Sequence, residues 1–378
     1  MQDIVIIGGG WYGCHIAKVL QDRYNVILIE KQVDIFDNSS YYNQNRLHLG
    51  YHYCRDFNTR SMCKDNFDRF SREYPECIDV IDRNYYLISK NSILDYQTYV
   101  NIYKGEGFDF DETPNIGFSN VSGNMISTGE QVIHSEKSKM YFKDHLKNTR
   151  IHKNTEFEGY SKDADGKILV KCKKTSDYGS YMREFTCDLL LDCTYNQLEL
   201  SKKNYKYELT ISLLYKKLND DPGFGAITVM DGKFFSLYPR DISQNIYTLT
   251  DVEFTPIISS NRVAGVDRYE VSEEEIEDAR QNMETKVNGY YPNFLEDFEY
   301  ISHFLSKKTK MLSASDSRDI TIEEVEKGVI TVNCGKIYGI FEFEDYVLEY
   351  INVEGTSGHQ NPLCGFQTPN PLPPFGEF

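Results

Sequence analysis

A chain of 378 residues, 40% hydrophobic and 26% charged, can build a large core and is expected to fold as two domains. A net charge of -17 argues against nucleic acid or an anionic membrane as a broad partner. The nine cysteines are scattered without a CxxC pair, which argues against a zinc site or a disulfide framework and for a reducing, cytoplasmic setting. No apolar run is long enough for a membrane span, and the N-terminus lacks the basic start of a signal peptide.

The first element lies in IVIIGGGWYG, residues 4–13. Asp3 to Ile7 reads as a buried strand. From Trp11 to about Asp22 the pattern turns helical, with Ile16, Val19 and Leu20 on one face. NVILI, residues 25–29, reads as a second buried strand that ends at Glu30. Gly8, Gly10 and Gly13 fit G-x-G-x-x-G inside this βαβ unit. Gly8 permits the tight turn, Gly10 lets a pyrophosphate approach the backbone, and Gly13 lets helix and strand pack closely. The helix N-terminus favours phosphate. Glu30 suits a ribose diol and would repel a 2′-phosphate, so NADP is disfavoured. The motif alone serves FAD or NAD.

SSYYNQNRLHLGYHYCRD, residues 39–56, follows where a plain Rossmann domain would continue with a helix and strand. Arg46, His48, His52, Tyr53 and Arg55 crowd into ten residues of it. In an extended segment Arg46, His48 and Gly50 would share one face, with His52 next; the bland alternative is a polar surface loop. Further along, RNYYLIS (83–89) reads as a strand and residues 134–148 as an amphipathic helix. RIHKNTEFEGYSKD and KILVKCKKT alternate like antiparallel strands around an Asp165-Gly166 turn. YELTISLLYKKL, GAITVMDGKFFSLYP and NIYTLTDVEFTP read as more strands, with a hairpin at Asp231-Gly232. Residues 272–292 read as a helix capped by Ser272. From 356 to 378 the chain is proline-rich and is expected to be extended or disordered.

Three landmarks together resemble the FAD-dependent oxidoreductases of the D-amino-acid oxidase type. The first is Ser39/Ser40, Asn43, Arg46, His48, Gly50 and Tyr53, similar to that family's S-x-x-N-x-x-x-x-H-x-G-x-x-Y segment. The second is CDLLLDCTYNQ (187–197), which resembles the strand returning to the FAD domain; its turn, Cys193-Thr194-Tyr195, only partly keeps the usual small residues. The third is ITVNCGKIYGIFEFEDYVLEYI (330–351), similar to the last strand, Gly-Lys turn and closing helix.

The resemblance implies an α/β fold with a Rossmann-type FAD-binding domain and an antiparallel-sheet α+β substrate domain. The FAD domain would be discontinuous, from 1–80, 135–205 and 305–355, and the substrate domain would come from 81–134 and 206–304. FAD would be held by Gly8, Gly10, Trp11, Tyr12, Gly13, Glu30, Lys31, Ser39, Ser40, Asn43, Arg46, Leu47, His48, Thr194, Gly335, Lys336 and Ile337. It is expected to be bound rather than tethered, since His48, His52 and Cys334 sit in no linkage motif. The activity implied is oxidation of a small amine, amino acid or 2-hydroxy acid, sugar-derived ones included, with oxygen or another electron acceptor as co-substrate. A sugar-nucleotide mutase, a non-catalytic FAD-binding protein and an NAD-dependent dehydrogenase are the competing readings.

Oxidation of an amino or hydroxy acid needs a carboxylate clamp, for which arginine is best suited. Arg46, Arg240 and Arg318 are the candidates. Alcohol oxidation also needs a base, and His48 or His52 fits because histidine titrates near neutral pH. Tyr53 and Tyr238 are candidates for positioning substrate. No metal-ligand spacing is present.

Overall fold

The computed structural model describes residues 2–219, 225–312 and 320–356. Arg318 and the tail beyond 356 lie outside the described residues.

The opening βαβ unit forms as its pattern predicts: strand Asp3–Ile7, helix Trp11–Leu20, strand Asn25–Ile29, the two strands parallel with Ile4 opposite Val26. These strands lie inside a six-stranded sheet ordered Thr321–Glu326, Val329–Asn333, Leu189–Asp192, Asp3–Ile7, Asn25–Ile29, Arg150–His152. Side chains alternate between its faces. Ile4 and Ile6 enter a core with the helices Trp11–Leu20, Phe57–Glu73, Ser135–His145 and Gly339–Thr356. Val5 and Ile7 pack on the other side against Ile168, Val170, Cys172 and Cys187 of a three-stranded antiparallel sheet. Both faces are thus covered, which is why these strands read as unbroken apolar runs. The edge hairpin Thr321–Glu326/Val329–Asn333 adds an antiparallel strand to this otherwise parallel sheet.

A nine-stranded sheet runs in the order Pro256–Ser260, Tyr205–Lys217, Ile246–Asp251, Phe235–Asp241, Ala226–Met230, Asn84–Ser89, Val121–Thr128, Asp111–Thr113, with Phe298–Met311 also paired to Tyr205–Lys217. It is not wholly antiparallel as expected, because Ala226–Met230 and Asn84–Ser89 run parallel. Those two strands come from remote parts of the chain, so no hairpin dictates their relative direction. Period two again sorts the residues. Ile211, Leu213, Leu237 and Leu249 pack with Ile276, Met283 and Val287 of the helix Glu273–Asn288. Their neighbours Thr210, Ser212, Ser236 and Thr250 line a cavity on the opposite face. The helix begins at a capping box: Ser272 Oγ accepts from the Glu275 N–H at 3.2 Å and the Glu275 carboxylate accepts from the Ser272 N–H at 2.9 Å.

A small sheet joins Arg46–Leu47, Gln131–Ile133 and Ile78–Asp79. It brings Glu130 under the segment that carries Arg46 and His48. Among the described residues no helix is long and apolar enough to cross a membrane, and the eight described cysteines are free and buried.

Candidate active site

A continuous cleft opens at the C-terminal ends of the parallel strands, the place where open α/β sheets bind ligands. One end, about 440 Å³, is lined by Gly8, Gly9, Gly10, Glu30, Lys31, Thr194 and Thr155. The other, about 330 Å³, is lined by Tyr12, Asn43, Arg46, His48, Gly335, Lys336 and Ile337. Gly10, Ser39, Ser40 and Tyr195 border both.

The glycines are where backbone must pass close to backbone. Gly8 has φ +100°, and a Cβ there would stand 2.9 Å from the Cys193 carbonyl oxygen. A Cβ on Gly13 would stand 1.9 Å from the Gly8 carbonyl oxygen, and one on Gly10 would lie 2.6 Å from Ser40 Oγ. Glu30 sits at the end of its strand with Oε2 accepting from the Gly9 N–H at 2.6 Å and Oε1 from the Gln32 N–H at 2.7 Å. Burial raises its pKa, and these backbone donors act against that rise. A bare-backbone cradle with an acid at the far strand end suits a pyrophosphate and a ribose diol.

The loop after Glu30 is braced by its own polar side chains. Ser40 Oγ accepts from the Trp11 N–H at 3.0 Å, and Ser39 Oγ donates to the Lys307 carbonyl at 2.9 Å. The Asn43 amide donates to the Ser39 carbonyl at 2.8 Å, while its oxygen accepts from the Asn45 N–H at 2.6 Å. Tyr12 reaches across the cleft to donate to the Lys336 carbonyl at 2.6 Å.

Three of the residues expected at the cofactor end are placed differently from the rest. The Trp11 ring packs among Phe36, Phe70, Tyr74 and Phe142 at centroid distances of 5.2–5.4 Å, so the ring is core, while the residue still lines the cleft. Leu47 is fully buried in that same core and lines neither part of the cleft. Lys31 borders the cleft with an exposed side chain paired to Glu156 at 2.9 Å.

The segment 46–52 is not one extended strand. Only Arg46–Leu47 pairs in a sheet, and Gly50 turns the chain at φ +119°, where a Cβ would meet the Arg60 carbonyl oxygen at 2.8 Å. The turn folds His52 back toward His48, their ring centroids 5.5 Å apart. Both rings face a second cavity of about 480 Å³, which shares Asn43, Gln44, His48 and Lys336 with the cleft. Tyr53 also lines this chamber, and the Lys336 ammonium lies 4.3 Å from the centre of its ring. Burial, then the charges of Lys336 and Arg46, holds His48 well below the usual imidazole value. Burial, then Arg46, His48 and Lys336, does the same to His52, although Glu130 opposes it. Burial and Arg46 lower Lys336 to about 7. At neutral pH both imidazoles are therefore uncharged and able to accept a proton.

Arg46 borders the cleft, yet it is not an available carboxylate clamp. Its guanidinium donates to the Tyr86 hydroxyl at 2.9 Å and to Thr228 Oγ1 at 2.7 Å, lies 4.0 Å from the centre of the Tyr238 ring, and stands 3.7 Å from Glu130. Arg240 instead donates to the carbonyls of Tyr41 and Asn43 at 3.0 and 3.1 Å, bracing the 39–44 loop. Tyr238 gives its hydroxyl proton to the Gln131 carbonyl at 3.0 Å and stacks under Arg46, so it positions protein. Glu130 escaped sequence reading because its only local signal is a lone acid before the apolar QVI strand. It is fully buried and accepts from the Tyr86 hydroxyl at 2.6 Å and the Leu49 N–H at 2.8 Å.

Beside the cleft, burial raises Asp192 to about 6 against the ordinary 3.8, while the Thr194 hydroxyl and N–H pull the other way. The folded chain therefore holds this proton more tightly than the unfolded one. The resulting stabilisation is complete below 3.8 and is lost as pH climbs through 6. Asp192→Asn is expected to raise stability at pH 8 by about 2 kcal/mol and to change it little at pH 4. Urea midpoints at the two pH values test this, and equal shifts at both would contradict it.

Comparison with known proteins agrees with this geometry. Residues 3–311 match the family model described as FAD dependent oxidoreductase, DAO. The chain is 33% identical over 355 residues to FAD-dependent monooxygenase FPY4 of Fusarium mangiferae, covering 92% of this chain and 91% of that relative. In fold it is similar to glycine oxidase from Geobacillus kaustophilus, with TM-score 0.68, 11% identity, and coverage of 93% and 95% of the two chains. It is likewise similar to L-alpha-glycerophosphate oxidase from Mycoplasma pneumoniae with FAD bound, with TM-score 0.69, 12% identity, and coverage of 93% and 94%. The chain belongs to the DAO family of FAD-dependent oxidoreductases, and FAD is its cofactor.

Proposed function

We propose that this enzyme oxidises an alcohol carbon of a small, hydroxyl-rich molecule. The observation that carries this reading is a pair of half-buried, uncharged imidazoles, His48 where the chamber meets the cofactor cleft and His52 beside it in the chamber. An alcohol must lose its O–H proton as its C–H hydride leaves, so it needs a base; a neutral amine does not. When bound, FAD supplies the acceptor for the hydride. His48 takes the hydroxyl proton, and Tyr53 and Lys336 hold the substrate oxygen.

The chamber walls support the substrate class. Thr210, Ser212, Ser236, Thr250, Thr255 and Ser306 line it with hydroxyl groups. Three of its four acids are ion-paired, Glu208 with Lys310 at 2.8 Å, Asp231 with Arg55 at 2.7 Å and Asp251 with Lys286 at 2.7 Å, and the fourth, Asp56, caps a helix by accepting from the Thr59 N–H at 3.1 Å. Among the described residues the one arginine lining the chamber is Arg55, bound to Asp231. An arginine clamp on a carboxylate would require breaking the Arg55–Asp231 pair, whereas hydroxyls can exchange hydrogen bonds with the walls.

The test is anaerobic mixing of FAD-loaded enzyme with polyols, sugar-derived alcohols, 2-hydroxy acids and amino acids. Bleaching of the flavin band by the first two groups alone supports the reading, and bleaching by amino acids alone would overturn it. His48→Asn is expected to keep the flavin spectrum and to slow bleaching by about 10²- to 10⁴-fold. A loss below tenfold would remove His48 as the base.

The name of the FPY4 relative favours a second reading, monooxygenation. That reaction consumes oxygen and an external reductant such as NAD(P)H and places one oxygen atom in the product. Uptake of labelled oxygen into product, dependent on NAD(P)H, would select it.

A further inference from the structure

We propose that Glu130 is the positioning residue for His48: its carboxylate accepts a hydrogen bond from the imidazole Nδ1–H, which keeps the proton on Nδ1 and leaves Nε2 free to accept the substrate proton. The inference rests on the alcohol-oxidation reading above. Glu130 Oε1 lies 3.6 Å from His48 Nδ1, and Nδ1 is buried with no partner at hydrogen-bond distance.

The carboxylate is fixed by donors on both oxygens. Oε1 accepts from the Leu49 and Gly50 N–H groups at 2.8 and 3.3 Å, and Oε2 accepts from the Tyr86 hydroxyl at 2.6 Å with Arg46 at 3.7 Å. The acid therefore holds the loop that carries the base as well as facing the base itself.

Charge makes the pairing necessary. His48 is faced by Arg46, Lys336, His52 and Tyr53, by Tyr338, whose hydroxyl donates to its backbone carbonyl, and by Glu130. Among the described residues Glu130 is the one carboxylate within 4.0 Å of the ring nitrogens. When the substrate O–H bond breaks, its electron pair stays on the substrate oxygen and an N–H bond forms at Nε2. The resulting imidazolium is repelled by Arg46 and Lys336, and the Glu130 anion offsets that repulsion.

Nitrogen-15 NMR of histidine-labelled, FAD-loaded protein reads the pairing directly. The neutral His48 of the unmutated chain is expected to carry its proton on Nδ1, and a proton on Nε2 would overturn the proposal. In Glu130→Gln the His48 titration is expected to fall by about one pH unit. Flavin reduction is expected to slow about 10- to 100-fold, with KM and the flavin spectrum unchanged. Glu130→Asp keeps the charge and should restore most of both. A His48 titration that stays in place in Glu130→Gln refutes the assignment, and so does one that falls equally in Glu130→Asp. Should Glu130→Gln fail to fold, the tautomer in the unmutated chain still decides. Should no hydroxyl-rich compound bleach the flavin, the alcohol reading fails while the tautomer and titration still judge Glu130.

Discussion

Gly13→Ala is expected to destroy FAD binding and to cost about 3 kcal/mol or more of stability. The added methyl would sit 1.9 Å from the Gly8 carbonyl oxygen, and both partners are held by backbone. Gly8 cannot retreat, since its own Cβ position is 2.9 Å from the Cys193 carbonyl oxygen. Helix Trp11–Leu20 must therefore move off the strand, and the cradle at Gly8–Gly10 opens with it. Gly105 ends the helix Tyr96–Gly105 with nothing within 4 Å of its Cβ position. Gly105→Ala is the matched control, expected to change stability by no more than about 1 kcal/mol, in the stabilising direction. Denaturant unfolding and the flavin band of the purified proteins measure both, and a Gly13→Ala protein that keeps its flavin and its midpoint would refute the packing argument.

Arg46→Ala has the second large effect, a loss of about 3–5 kcal/mol. The guanidinium is the cation beside the buried Glu130 carboxylate, and it binds Tyr86 and Thr228 at 2.9 and 2.7 Å. Its removal leaves a buried negative charge without compensation, which costs more than the pair contributes. Replacing both partners, as Arg46→Met with Glu130→Gln, removes the stranded charge and should recover at least half of the loss. The coupling is read from a double-mutant cycle by urea unfolding. Additive effects would show that Arg46 and Glu130 do not act as a pair. Lys336, which titrates at about 7 beside Arg46, gives a spectroscopic companion to the same test. Without the arginine charge it should keep its proton to higher pH.

The sequence by itself determined the parts whose cause is local. The βαβ unit, its three glycines and Glu30 lie within thirty residues, and each follows from periodicity, backbone freedom or a strand end. The capped helix at Ser272 and the hairpin across Asp231-Gly232 are equally local, set by a side chain three residues from its partner or by two turn residues. Trp11 shows the limit. Its place beside the glycines points to the cleft, yet four aromatic rings drawn from 25 to 131 residues away surround it, and such a cluster has no trace in a short window. Arg46 shows it more sharply. Whether an arginine clamps substrate or braces protein depends on what fills its donors, and here those partners are residues 86, 130 and 228. Two strands and the turn before a third, from distant stretches of chain, deliver them, and their placement belongs to the assembled sheets. Burial then decides the chemistry: the same histidines on an open loop would titrate in the ordinary range, and packing against Lys336 and Arg46 is what keeps them neutral.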